Sequence, residues 1–483
     1  MKALKRQILI FVMIMSSVSY VHAYEDPFKE ESAKISELYR KYEYSKAINM
    51  AHQLLTLAEE KFGEEHFFVV KTLNTLATFY HGQGRYAEAE PLYKRVLDIK
   101  MKNLGKDHPD LAGYFSNLAM LFHDQGRYVE AEPLYKRALN MKIKAFGEQH
   151  HDVGASLSNL AMLYHDQGRY AEAEPLYKRA LEIQKRSFGE DHVYVTSYMN
   201  NIASLYHDQG RYAEAEPLYQ RALEIRKKSL KKGHTDIGTS LNNLAGFYIE
   251  QGRYAETESL YQQALEIKIE AFGRNHPDVA ALLNNLGLLY YKEGRYDESE
   301  SLCGQALEIT EEYFGKDHPH VAISLNNLAK LYHLRGKYSK AEEYYKMALE
   351  ISKKVLDKDH PDILTVLNNL AMLYHGQGKY IDAEALYKRV LTMRIKSLGK
   401  NHSDVAASLN NLASIYVDQG KYDEAERDYK WALGIYEKCF DKNHVDIATV
   451  LWNMETLYKK IGKEKEAEKL IERAASISSG NQL

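Results

Sequence analysis

The chain has 483 residues, 27% of them charged, and a formal net charge of −3. That balance excludes a basic nucleic-acid binder and a protein drawn to anionic membranes by bulk charge. Two cysteines, Cys303 and Cys439, are too few for a disulfide framework.

In chain order, the first 23 residues stand apart. MKALKRQ is a basic opening, ILIFVMIM an apolar run, and SSVSYVHA closes with Val21 and Ala23 in the small-residue pattern of a cleavage site. The apolar run is short for a bilayer span. Residues 1–23 are therefore expected to be a signal peptide cut after Ala23, with an uncleaved anchor as the alternative. No cysteine follows the site, which argues against a lipoprotein. No later stretch approaches the roughly 18 apolar residues of a membrane helix. The expectation is an exported mature chain, residues 24–483, periplasmic or secreted and forming a single domain.

From about residue 29 the sequence repeats. HDQGRYAEAEPLY occupies 165–177 and returns unchanged at 207–219, with a one-residue variant at 123–135. Glycines fall 42 residues apart at Gly84, Gly126, Gly168, Gly210, Gly252, Gly294, Gly336, Gly378, Gly420 and Gly462. A histidine keeps the same beat from His66 to His444. A degenerate unit over about 29–66, with Tyr42 in the glycine's place, precedes ten regular units over about 67–478. Repetition at a fixed period signals one packing unit stacked many times, which overrides the several domains that length alone suggests.

Each unit reads as two helices. In 235–251, Leu241, Leu244, Ala245 and Tyr248 line one helical face. Gly252 then offers the positive φ that ends helices. A second periodic run carries Tyr254, Leu260, Tyr261, Ala264, Leu265 and Ile267, with glutamates at its start and Lys268 near its end to suit the helix dipole. The loop FGRNHPDV follows, with Pro277 well placed at the first position of the next helix. Pro91, Pro133, Pro175 and Pro217 fall about one turn into second helices, where each costs a backbone bond and favours a slight bend. Cys303 and Cys439 lie more than three units apart in such a stack and read as free thiols, Cys303 filling a core position that is tyrosine in eight other units.

These residues carry a family resemblance. Leu160, Ala161 and Tyr164 in a first helix, then Ala173, Tyr177 and Ala180 in a second, resemble the core pattern of tetratricopeptide repeats. The period of 42, with LNNLAxLY, QGRYxEAEPLYKRALEI and a GxxHPDV loop, is similar to the kinesin light chain version. The usual closing proline is missing, and no heptad coiled coil of a motor adaptor is present. The resemblance implies an all-α, right-handed superhelical solenoid of about eleven antiparallel helix pairs. At about 10 Å per unit the stack is expected to be a rod on the order of 100 Å long.

Catalytic and metal chemistry find no foothold in the sequence. Most of the 38 tyrosines sit in fixed helical registers, as in Tyr164, Tyr170 and Tyr177, and are expected to pack between helices rather than to stack on sugars or bases. The loop histidines are expected to cap helices or bridge units; a second row, His81, His123, His165, His207, His333 and His375, stands at the end of the first helices. Same-register residues stand about 10 Å apart, too far to share one ion. His150 and His151 adjoin in a loop without further evident ligands. There is no HExxH, no CxxC and no glycine-rich phosphate loop. No enzyme activity, cofactor or metal is expected.

The face of the first helix not used in packing remains. One stripe along the array is Asn74, Ser116, Ser158, Asn200, Asn242, Asn284, Asn326, Asn368 and Asn410, broken by Trp452. Beside it run Asn117, Asn159, Asn201, Asn243, Asn285, Asn327, Asn369, Asn411 and Asn453. Asparagine is a mediocre helix former, so such rows call for a reason. Each amide offers donor and acceptor, which suits an extended peptide backbone, and also suits bonds to neighbouring helices. The resemblance implies that first helices line a concave groove in which these asparagines hold cargo peptides. Lys330, one turn after Asn326, is the cation placed to anchor an acidic ligand side chain, or else is simply solvated. The expected function is a non-catalytic, monomeric scaffold that binds a protein or peptide partner. The alternative is a structural spacer or self-assembling rod with an idle groove.

Overall fold

A computed structural model describes residues 27–40, 44–356 and 360–480. The expected signal peptide, residues 1–23, lies outside the described residues. Among those described, no helix is long and apolar enough to cross a membrane. The described residues form 22 α-helices that follow one another as eleven adjacent pairs, from Lys29–Arg40 with Tyr44–Phe62 to Val445–Lys460 with Glu464–Gly480. Each pair packs on the next, so the fold is the expected all-α solenoid.

The unit over 151–188 shows why this sequence folds this way. His150 caps the first helix, His151–Asp166, by accepting the Asp152 N–H on Nδ1 at 3.2 Å. A free backbone donor at the helix start is thereby satisfied. At the other end Gly168 takes φ 66°, and the Arg169 N–H donates back to the Tyr164 carbonyl at 2.8 Å. That reversed bond needs a left-handed residue, which glycine adopts without strain. The second helix, Tyr170–Phe188, runs on unbroken through Pro175. Its Ala173, Tyr177 and Ala180 are buried against the first helix, alanines allowing close approach and the tyrosine filling the seam.

The tyrosine row Tyr135, Tyr177, Tyr219, Tyr261, Tyr345, Tyr387 and Tyr429 is fully buried, and Cys303 occupies its gap. Both cysteines are free thiols, and burial pushes the Cys303 thiol up to about 11. Its small side chain is matched by Gly287, where a Cβ would stand 2.7 Å from the Cys303 sulfur.

The stack does not extend as a simple rod. The hinge glycine of one unit meets the sixth loop farther along the chain. A Cβ on Gly84 would strike Pro319, one on Gly126 would strike Pro361, and Gly168 and Gly210 are covered by His402 and His444. His360 Nε2 donates to the Asp124 carbonyl at 2.8 Å, and His402 Nε2 to that of Asp166 at 3.2 Å. The Asp441 N–H reaches the Gln209 carbonyl at 2.9 Å. Phe440 stacks on Tyr170, and the Tyr44 and Tyr313 hydroxyls lie 3.2 Å apart. Successive superhelical turns therefore touch. Adding about 10 Å per unit overstates the length, because the coil closes onto its own first turn.

Candidate peptide-binding groove

The two asparagine rows lie side by side on the first helices and bond to one another across units. The Asn285 amide donates to Asn242 Oδ1 at 2.9 Å, Asn369 to Asn326 at 2.9 Å, Asn411 to Asn368 at 3.2 Å, and Asn453 to Asn410 at 2.9 Å. Earlier in the chain Asn117 donates to Asn74, and Asn201 to the Ser158 hydroxyl. Each rung uses one half of each amide. The carbonyl of the donor and the NH2 of the acceptor keep capacity for another partner.

The ladder is interrupted in the middle. The Asn200 amide turns to the Thr196 carbonyl, at 2.9 Å, and that of Asn284 to the Ser324 hydroxyl, at 3.4 Å. Asn200, Asn243 and Asn284 consequently hold buried side-chain oxygens without a protein hydrogen bond. Asn327, which follows the Asn284 break, shares a cleft with Asn242, Asn243, Asn284 and Asn285.

Sequence reasoning missed the charge in that cleft. Lys268 and Asp278 line it and form a 2.7 Å ion pair, the lysine almost fully buried. Thr310, His320 and Ser324 complete its wall, and burial holds the His320 ring down at about 4. The register of Lys268 carries Arg226 one unit earlier and Arg394 three units later. Both are buried and bonded to serine hydroxyls and backbone carbonyls across the following loop. The signal was present as a polar residue recurring near the end of the second helices. Its side-chain type changes from unit to unit, which hid it. Lys330 keeps an exposed side chain, and the surrounding walls, with Lys292 nearby, lower its pKa.

The histidine rows are structural. Loop histidines from His66 to His444 cap first helices through Nδ1, as at His234, His276 and His360. In the other row, His81 pairs with Asp124, His123 with Asp166, His165 with Asp208, His207 with Glu250 and His375 with Asp418, all at 2.8–2.9 Å. His333 instead meets Gly376. One trio, His150, His151 and Asp152, brings its ligand atoms within 4.8 Å of one another. Asp152 is thus the third group that the adjacent histidines seemed to lack, although His150 Nδ1 is already engaged as a cap.

The tetratricopeptide repeat model matches residues 38–102, 68–144, 152–228, 236–298, 278–354, 332–396, 362–438 and 404–479. A putative kinesin light chain from Podosopora anserina, with nearly identical repeats of this kind, is 26% identical; the match covers 43% of this chain and 98% of that one, at a TM-score of 0.35. BtubC of P. vanneervenii is 24% identical, covering 51% of this chain and 91% of that one, at a TM-score of 0.37. A Rap protein complexed with competence and sporulation factor is 17% identical, covering 77% and 98%, at a TM-score of 0.50, a likeness of fold. No curated protein matches.

Proposed function

The chain belongs to the tetratricopeptide repeat family, and from that premise we propose that it is a non-catalytic scaffold holding an extended peptide segment of a partner protein in its groove. The observation that carries this reading is the half-used asparagine ladder. Asn242, Asn326, Asn368 and Asn410 accept one rung each, which leaves NH2 groups for peptide carbonyls. Asn285, Asn369 and Asn411 donate one rung each, which leaves carbonyls for peptide N–H groups. Asn200, Asn201, Asn243, Asn284 and Asn327 belong to the same surface, and the buried oxygens of Asn200, Asn243 and Asn284 are acceptors open to a ligand donor. Lys330 adds a cation for an acidic side chain of the peptide. The reading includes export, with residues 1–23 removed after Ala23 and the scaffold working in the periplasm or outside the cell.

Affinity capture tests it, comparing residues 24–483 with a variant in which Asn242, Asn284, Asn326 and Asn368 become alanine, after circular dichroism confirms equal helicity. A partner retained by the first and lost from the second supports groove binding. A partner retained equally by both moves the site to the convex face. Mass spectrometry of the exported chain should find an N-terminus at Tyr24; an intact Met1 in the exported fraction would contradict cleavage.

A further inference from the structure

The contact between superhelical turns uses only half of the surfaces able to make it. Hinges Gly84, Gly126, Gly168 and Gly210 are covered by second-turn loops, whereas at Gly252, Gly294, Gly336, Gly378, Gly420 and Gly462 a side chain would meet nothing within 4 Å among the described residues. The loops show the converse. Those at His318, His360, His402 and His444 are buried in the seam, and those at His66, His108, His150, His192 and His234 belong to the first turn, with no turn beneath them among the described residues.

The open halves match in chemistry. Each first-turn loop histidine accepts its cap bond on Nδ1, as do His360 and His402. A neutral ring that accepts on Nδ1 carries its proton on Nε2. His360 and His402 give that proton to hinge carbonyls. The five first-turn rings have no protein hydrogen bond at Nε2 among the described residues. Apolar exposure follows the same division. The hinge tyrosines Tyr128 and Tyr170 are 5% and 8% exposed inside the seam, while their open counterparts Tyr296 and Tyr338 are 43% and 38% exposed. The open loops display Phe67, Phe146 and Tyr194, the last 58% exposed.

We propose that a second copy of this chain continues the coil, its five first-turn loops seating on the open hinges from Gly294 to Gly462 of the copy before it. The counting supports this occupant. A hinge takes the loop six loops ahead, so in a continued coil Gly252 faces the start of the next copy's degenerate first unit and the hinges from Gly294 to Gly462 receive the loops from His66 to His234 in order. The interface is the intramolecular seam repeated between molecules. It is heterologous and does not close, so it builds filaments rather than a dimer. The last helix, Glu464–Gly480, presents mostly charged residues outward, which places the attraction in the seam and not at the ends. The proposal departs from the monomer expected from sequence.

Sedimentation velocity of the purified chain over a range of concentrations is the test, with two variants. A loop variant carries Phe67→Asp, Phe146→Asp and Tyr194→Asp; a hinge variant carries Tyr296→Asp and Tyr338→Asp. Thermal melting checks that both fold, and Asp is replaced by Gln wherever a variant melts early. The wild type should sediment faster as concentration rises, each variant alone should stay monomeric, and an equimolar mixture should form dimers and nothing larger. A wild type that is monomeric throughout, or a loop variant that still forms long species alone, would overturn the proposal.

Discussion

Glu132 shows what one residue of the repeated stretch does. Its carboxylate receives Lys136 from its own helix at 2.7 Å, and from the next unit Arg169 at 2.7 Å and the Tyr164 hydroxyl at 3.0 Å. The Arg169 guanidinium also lies 3.9 Å from the Tyr164 ring centre. Partial burial raises the carboxyl pKa, but these bonds outweigh it and bring the group down to about 2. Glu174 and Glu216 repeat the arrangement with Arg211 and Arg253. Glu132→Gln should therefore cost about 1–2 kcal/mol in urea unfolding, the loss of a charge-assisted bond between partly exposed groups. A depressed carboxyl pKa stabilises above the unfolded value and loses that contribution as pH falls, here from about 4.5 towards 2.

The cap histidines add a second window. Burial is the main cause that lowers His276 and His318 and brings His444 to about 4. The unfolded rings bind protons from about pH 6.5, so the stability given by neutral caps is complete above that value and declines towards pH 4. Asp446, raised to about 6 chiefly by burial, works the opposite way over part of this range. Three histidines against one aspartate predict a urea midpoint that falls between pH 7 and pH 5. A midpoint that rose over that interval would contradict the capping account.

At the scale of elements, the helix pairs, their caps and their glycine hinges were legible because each depends on residues within one unit. Leu241, Leu244, Ala245 and Tyr248 declare a face, and His234 and Gly252 its two ends. The exception inside a unit is equally local. Gly287→Ala would ordinarily gain about 1 kcal/mol of helix propensity, but the new methyl would stand 2.7 Å from the Cys303 sulfur, in packing that resists overfilling. The expected result is a lower melting temperature. Gly304→Ala, in the partner helix with nothing within 4 Å, should raise it. Equal shifts in both variants would contradict the packing described. The asparagine rungs were read as one of two alternatives, since a sequence row does not reveal which half of each amide is used. Asn326→Ala should cost about 1 kcal/mol by leaving the Asn369 amide without its acceptor.

The scale of the whole molecule was the least legible. Gly126 and Gly336 sit in nearly the same words, yet one is covered by Pro361 and the other is open. The difference is set by the accumulated rotation of six units, which no local pattern encodes. The same holds for the cleft between Asn243 and Asn327, where Lys268 meets Asp278 across a loop. What the repeat did convey is the stacking of helix pairs with two asparagine rows along it, and on those rows rests the proposal that an extended peptide is held there.

Peptides selected from a random library on the chain, titrated calorimetrically into wild type and into an Asn242→Ala, Asn326→Ala, Asn368→Ala variant of matched helicity, test that claim most directly. Loss of two or three bonds at about 1 kcal/mol each predicts affinity weakened roughly tenfold or more. Unchanged affinity, or a library that yields no binder, would contradict it.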